Sequence, residues 1–180
     1  MDSQENGKKV LLVEDTLTQA LLMQHQLKKV GYLVKLARSA KAALDELAKE
    51  SFDIILSDIN MPGMDGYELC KELKANESFK QIPFILLATP VEKSDILKML
   101  ASGAENFILK TLDENSFLEK LSEIMKTIDL RKTSGSRNKT FYAEQEVELA
   151  GDSANLADFL LSSFEMYLFQ LSKNKTVETK

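Results

Sequence analysis

The residues of this 180-residue chain best suited to chemistry are a few acids and one lysine, each placed just after a short apolar run. Glu14-Asp15 follows Val10-Leu11-Leu12-Val13. Asp58, with Asn60 two residues on, follows Ile54-Ile55-Leu56 and Ser57, and Lys110 follows Phe107-Ile108-Leu109. Three carboxylates brought together repel unless a cation joins them. A hard divalent ion with oxygen ligands is the economical answer, since Mg²⁺ takes one or two carboxylates, a carbonyl, waters and phosphate oxygens. A carboxylate facing Mg²⁺ and an ammonium can attack a phosphoryl group and become an aspartyl phosphate. The two cations then neutralise the equatorial oxygens of the loose transition state. Alone, Asp15 reads as a helix cap or a solvated turn residue. Acids and lysine placed after three separate apolar runs read as a set.

Other chemistries lack parts. His25 is the single histidine and Cys70 the single cysteine, so neither a His-based metal cluster nor an internal disulfide can form. His25 stands among Gln24, Gln26, Lys28 and Lys29 and reads as a surface residue, and Cys70, beside Leu69 and Leu73, as a small buried hydrophobe. The seven glycines form neither G-x-x-x-x-G-K-[ST] nor G-x-G-x-x-G.

What must position these residues is a β-α pattern repeated five times. The apolar runs are 10–13, 33–36, 54–56, 84–87 and 106–109, and the first, third and fourth are continuous, as for strands buried on both faces of a parallel sheet. Between and after them lie helical segments. Thr16–Val30 places Leu17, Ala20, Leu21, Leu27 and Val30 near one face and stops at Gly31. Ser39–Lys49 starts on a Ser39 cap and buries Ala40, Ala43, Leu44 and Leu47. Met64–Lys74, Val91–Ala101 and Asp113–Leu130 complete the set. Strands alternating with helices require right-handed crossovers and a parallel sheet. The fold class expected is therefore α/β, a five-stranded parallel flavodoxin-like sheet over residues 8–130, whose ligands bind beyond the C-terminal strand ends.

Residues 131–140 are basic and polar and read as a linker, and 141–180 as a short strand-helix extension. The expected helix, about 154–173, carries Ala157, Leu160, Phe164, Tyr167 and Leu171 at 3, 4, 3, 4 spacing, flanked by Leu161 and Leu168. That is a two-heptad seam, open to packing on the first domain or to homodimer formation. Net charge is −5, all of it in residues 1–130, which argues against nucleic acid as the main partner. No run approaches the roughly 18–20 apolar residues of a membrane span, and the polar N-terminus is no secretory signal. A cytoplasmic address is expected.

The set Glu14-Asp15, Asp58-Ile59-Asn60-Met61-Pro62-Gly63-Met64-Asp65-Gly66, Gly103-Ala104 and Lys110 resembles the receiver domain of two-component response regulators. The resemblance covers roughly residues 8–130. It implies that Asp58 accepts a phosphoryl group from a histidine kinase or histidine phosphotransfer protein. It implies that Glu14, Asp15, Asp58 and the backbone carbonyl of Asn60 hold Mg²⁺, and that Lys110 pairs with the phosphoryl group. No enzymatic activity is implied beyond Mg²⁺-dependent phosphotransfer and autodephosphorylation. The 141–180 stretch is similar to the segment joining an N-terminal receiver to later modules in hybrid sensor kinases, so the chain reads as a single-domain regulator or the front of a longer protein.

Departures from the family pattern lie at the switch. Ala88 stands where a Thr or Ser hydroxyl is usual, and Thr89 where a small residue is. Either Thr89 supplies the hydroxyl through a one-residue slip, or the switch is weak. A slip would flip the alternation of the strand, which favours the weak switch. Phe107 occupies the place of the switch aromatic, or is a plain strand residue, and Thr111 replaces the usual proline after the lysine, so a trans bond is expected. These departures keep a second function open, a phosphorylation-independent docking module. A related aspartyl-phosphate phosphatase is disfavoured, because its second acid would stand at Asn60.

Overall fold

The computed structural model describes residues 7–89, 98–99, 101–110, 112–134, 141–142 and 145–146. Five strands, β1 (Lys9–Val13), β2 (Leu33–Ala37), β3 (Ile54–Asp58), β4 (Phe84–Ala88) and β5 (Asn106–Leu109), form one parallel sheet in the order β2-β1-β3-β4-β5. Helices α1 (Leu17–Lys29), α2 (Ala40–Leu47), α3 (Gly66–Ala75) and α4 (Glu114–Ser134) connect and follow them. This is the α/β architecture expected. The order reverses between β1 and β3, where sheets of this kind open a crevice at their carboxyl edge.

The two-residue period of the strands decides where the chemistry goes. One sheet face carries Val10, Leu12, Ile54, Leu56, Ile85, Leu87 and Ile108, packed with Met23 and Leu27 of α1 and with Phe117, Leu121, Ile124, Met125 and Ile128 of α4. Glu14, Asp58 and Lys110 each lie two residues beyond a member of that row, namely Leu12, Leu56 and Ile108. Burying the row therefore aims all three at the same end of the same face. The alternate residues Leu11, Val13, Ile55, Phe84 and Leu86 are buried as well, as are Ala40, Ala43 and Leu47 of α2 and Leu69, Cys70 and Leu73 of α3. Burial pushes the Cys70 thiol up to about 12, so it packs as a hydrophobe.

Helix boundaries follow capping chemistry. Ser39 caps α2, its hydroxyl accepting from Ala42 N at 3.1 Å. Helix α3 begins at Gly66, two residues after the expected Met64, because Asp65 and Glu68 form a capping box: Asp65 accepts from Glu68 N at 2.8 Å and Glu68 from Asp65 N at 3.0 Å. The face expected for α1 needs correction. Ala20, Met23 and Leu27 are buried, whereas Leu17, Leu21 and Val30 are exposed. Leu21 follows Ala20 by one residue, about 100° around the helix, so both cannot face the sheet. On α2, Leu44 is only half-buried.

Helix α4 continues to Ser134, four residues into the stretch read as linker; Arg and Lys are good helix formers, so the helix need not stop where its apolar residues do. By compactness the chain divides into residues 1–130 and 131–180. In the second unit β6 (Phe141–Tyr142) pairs antiparallel with β7 (Gln145–Glu146). The expected helix at 154–173 with its seam, most of Val91–Ala101, and Thr111 lie outside the described residues. Residues 98, 99, 101 and 102 are helical and end at Gly103, whose φ of +82° suits glycine.

The amino edge of the sheet is closed by an ion pair that local pattern does not announce. Lys74 Nζ donates to Glu105 Oε1 at 2.5 Å and to the carbonyls of Ile82 at 2.9 Å and Lys80 at 3.2 Å. Glu105 Oε2 accepts from Phe84 N at 2.6 Å. One carboxylate thus ties α3 to the starts of β4 and β5. Glu105→Ala is expected to cost about 2–3 kcal/mol, since it leaves a half-buried ammonium and a strand N–H without this acceptor. The check is urea unfolding, with a lower midpoint at unchanged m.

Candidate phosphoacceptor site

At the carboxyl edge Glu14, Asp15 and Asp58 each offer a carboxylate oxygen within 4.8 Å of the others. Lys110 Nζ reaches into the group, 2.7 Å from Glu14 Oε2 and 2.9 Å from Asp58 Oδ2. Glu14 is fully buried, and Asp58 is 4% exposed. Burying charge is tolerated only where it is paired and hydrogen-bonded. Glu14 meets that condition on both oxygens, because Oε1 also accepts from Thr16 N at 3.1 Å. Asp58 is paired on one side only, by the Lys110 ammonium on Oδ2. Its Oδ1 is buried and has no hydrogen-bond partner. Three carboxylates against one ammonium leave two formal negative charges, the deficit one divalent cation would fill.

The sheet thus brings together Glu14, Asp15, Asp58 and Lys110 from the ends of β1, β3 and β5. Asn60 is exposed, and among the described residues no hydrogen bond ties it to the acids. The preceding carbonyl, of Ile59, accepts from Gly66 N at 2.9 Å. Ala88 is fully buried at the end of β4 and stays in register, opposite Leu109, with its carbonyl accepting from Lys110 N at 2.7 Å. No slip brings Thr89 into its place; Thr89 is exposed beyond the strand. Phe107 is half-buried on β5, paired with Leu86.

Two side chains and one close contact carry no local sequence signal. Gln19 Oε1 accepts from Lys110 Nζ at 2.9 Å. Arg38 donates from its guanidinium, including Nε at 3.1 Å, to the backbone carbonyl of Asp15, holding the loop after β1. A Cβ on Gly66 would stand 2.3 Å from the carbonyl oxygen of Asp58, so the first turn of α3 rests directly on the backbone of the buried acid. Gln19 and Arg38 give no sequence signal, being polar residues on or near element ends. Gly66 ends the motif that follows β3, but its close approach to Asp58 is a tertiary fact.

The sequence profile of the response regulator receiver domain matches residues 10–122. The chain belongs to the response-regulator receiver family. Its receiver domain is 32% identical over 123 residues to chemotaxis protein CheY1 of Helicobacter pylori, a match spanning 67% of this chain and 99% of that protein. Among solved structures, it is similar to the receiver domain of a signal transduction histidine kinase from Syntrophus aciditrophicus, with TM-score 0.61, 30% identity, and coverage of 77% of this chain and 99% of that one. It is also similar to the receiver domain of a sensor histidine kinase from Pseudomonas aeruginosa, solved with a magnesium ion in its active-site cleft, with TM-score 0.57, 25% identity, and coverage of 72% and 99%. Among the described residues, no helix of this receiver is long and apolar enough to cross a membrane.

Proposed function

We propose that this receiver domain takes a phosphoryl group from a histidine kinase or histidine phosphotransfer protein onto Asp58, in a reaction that requires Mg²⁺, as a step in cytoplasmic two-component signalling. The observation that carries the reading is the half-satisfied Asp58: a buried carboxylate with Lys110 on Oδ2 and an unpartnered Oδ1 among other acids. In the transfer, a carboxylate oxygen of Asp58 supplies the electron pair of a new O–P bond. The P–N bond to the donor histidine breaks, and its pair stays on the departing imidazole nitrogen. Lys110 orients and neutralises the phosphoryl oxygens, and Glu14 holds Lys110 in place.

The acidic set fits Mg²⁺, a hard cation that prefers carboxylate and carbonyl oxygens. Asp15, Asp58 and Glu14 would hold it, with the backbone carbonyl of Asn60. Both oxygens of Glu14 already accept hydrogen bonds, so Asp15 and Asp58 Oδ1 are the readier donors. When bound, the ion would offset charge on the transferring phosphoryl group. Asp15→Asn is expected to weaken Mg²⁺ binding about tenfold or more, because affinity follows ligand charge. Metal titration followed by amide shifts measures it, and unchanged affinity would remove Asp15 from the ligand set.

The fully buried Ala88 favours a second reading, docking without phosphorylation, because the active state lacks one differential contact with the phosphoryl group. Under the first reading Ala88→Thr enlarges the amide shifts that phosphorylation causes around Phe107; under the second it changes nothing. A homodimer through residues 154–173 is a separate expectation, tested by sedimentation of the full chain beside one ending at Leu130.

The deciding experiment is incubation with acetyl phosphate and Mg²⁺, followed by intact mass. The reading requires one added phosphoryl group, lost when Mg²⁺ is chelated beforehand. No added mass in wild-type protein, with Mg²⁺ bound, would leave only the docking reading.

A further inference from the structure

We propose that Gln19 is a latch on Lys110 which phosphoryl transfer opens. An ammonium has three N–H donors. Two of those of Lys110 are taken by hydrogen bonds, to Glu14 Oε2 at 2.7 Å and Gln19 Oε1 at 2.9 Å, while Asp58 Oδ2 is held as an ion pair at 2.9 Å. The inference rests on the reading that Lys110 pairs with the phosphoryl group on Asp58. A phosphoryl group presents several anionic oxygens where Asp58 presented one to the lysine, so it draws more than one donor. One of the other two acceptors must then give way. Glu14 is fully buried and charged, and stranding it is costly. Gln19 is exposed and neutral, its hydrogen bond the weaker of the two, and its amide returns to water at little cost.

The latch therefore yields at Gln19. Closed, it ties the start of α1 to the residue after β5. Open, it releases that tie, so α1 senses the state of Asp58 through a side chain that is not itself part of the phosphoacceptor chemistry. Gln19 is a positioning residue, acting through Lys110.

Two measurements test this, both at saturating Mg²⁺ so that metal affinity does not enter. In the first, beryllofluoride serves as the phosphoryl mimic and the Gln19 side-chain amide is followed by NMR. Its resonances are expected to move to the positions of a solvated glutamine. In the second, incorporation from acetyl phosphate is compared among variants. Gln19→Glu gives the lysine a charged competitor and is expected to slow incorporation about tenfold, while Gln19→Ala removes the competitor and is expected to speed it roughly two- to threefold. A residue that merely supported the fold, or one that aimed Lys110 productively, would not give opposite signs. Slower or unchanged incorporation in Gln19→Ala overturns the latch. Failure of wild-type protein to incorporate phosphate overturns the underlying reading instead, so the two failures are distinct.

Discussion

Asp58→Asn is expected to abolish phosphate incorporation, with a loss of at least about a hundredfold. An amide is not a competent nucleophile, and no other described side chain stands in its place. Glu14 has both oxygens hydrogen-bonded and one held by Lys110, and Asp15 lies outside that grip. The substitution nearly preserves shape, so the fold should survive, and the amide oxygen can still accept from Lys110. Intact mass after incubation with acetyl phosphate and Mg²⁺ provides the measurement. Full incorporation in the variant would place the acceptor elsewhere and leave the buried, half-partnered carboxylate without a role. Partial incorporation with the label on Glu14 or Asp15 would assign the pocket correctly and the nucleophile wrongly.

The second large effect belongs to a residue that bears no functional group. A methyl group at position 66 would lie 2.3 Å from the carbonyl oxygen of Asp58 and 2.9 Å from Cα of Ile59, both backbone atoms that cannot swing aside. Either α3 lifts from the sheet or β3 shifts, and overpacking of this severity costs about 2–4 kcal/mol. Because the atoms displaced belong to Asp58 and its neighbour, Gly66→Ala should also slow incorporation in the fraction that folds. Gly63→Ala separates this from a general intolerance of the loop. Gly63 has φ +82° but nothing within 4 Å of its would-be Cβ, so its cost is backbone strain alone, about 1–2 kcal/mol. Urea unfolding should rank the two, with Gly66→Ala the more damaging. Equal losses would mean that close approach to Asp58 does not govern the position.

Much of this was legible in the residues. Continuous apolar runs at 10–13, 54–56 and 84–87 read as strands buried on both faces, and helical segments between them call for a parallel sheet. Period two then carried Glu14, Asp58 and Lys110 to one end of one face, since each follows a core residue by two places. Burial alone settles that placement, so the acid–lysine set needed no coordinates to be found. Ala88 could likewise be placed by counting along β4, and its register bears no slip.

Helix α1 shows where such reasoning ends. Its leucines fit more than one apolar stripe, and the sheet chose Ala20, Met23 and Leu27 because only one face of a cylinder can meet a surface. The same holds for the partners across the fold. Gln19 with Lys110, Arg38 with the carbonyl of Asp15, Lys74 with Glu105, and Gly66 against Asp58 join residues far apart in the chain. No periodicity encodes such pairs, because each depends on how two elements are set side by side once the core has closed. The sequence by itself determined which acids and lysine come together and which edge of the sheet they share. The tertiary structure decided how Lys110 is held, which oxygen of Asp58 stays open, and what the neighbouring helices must leave room for.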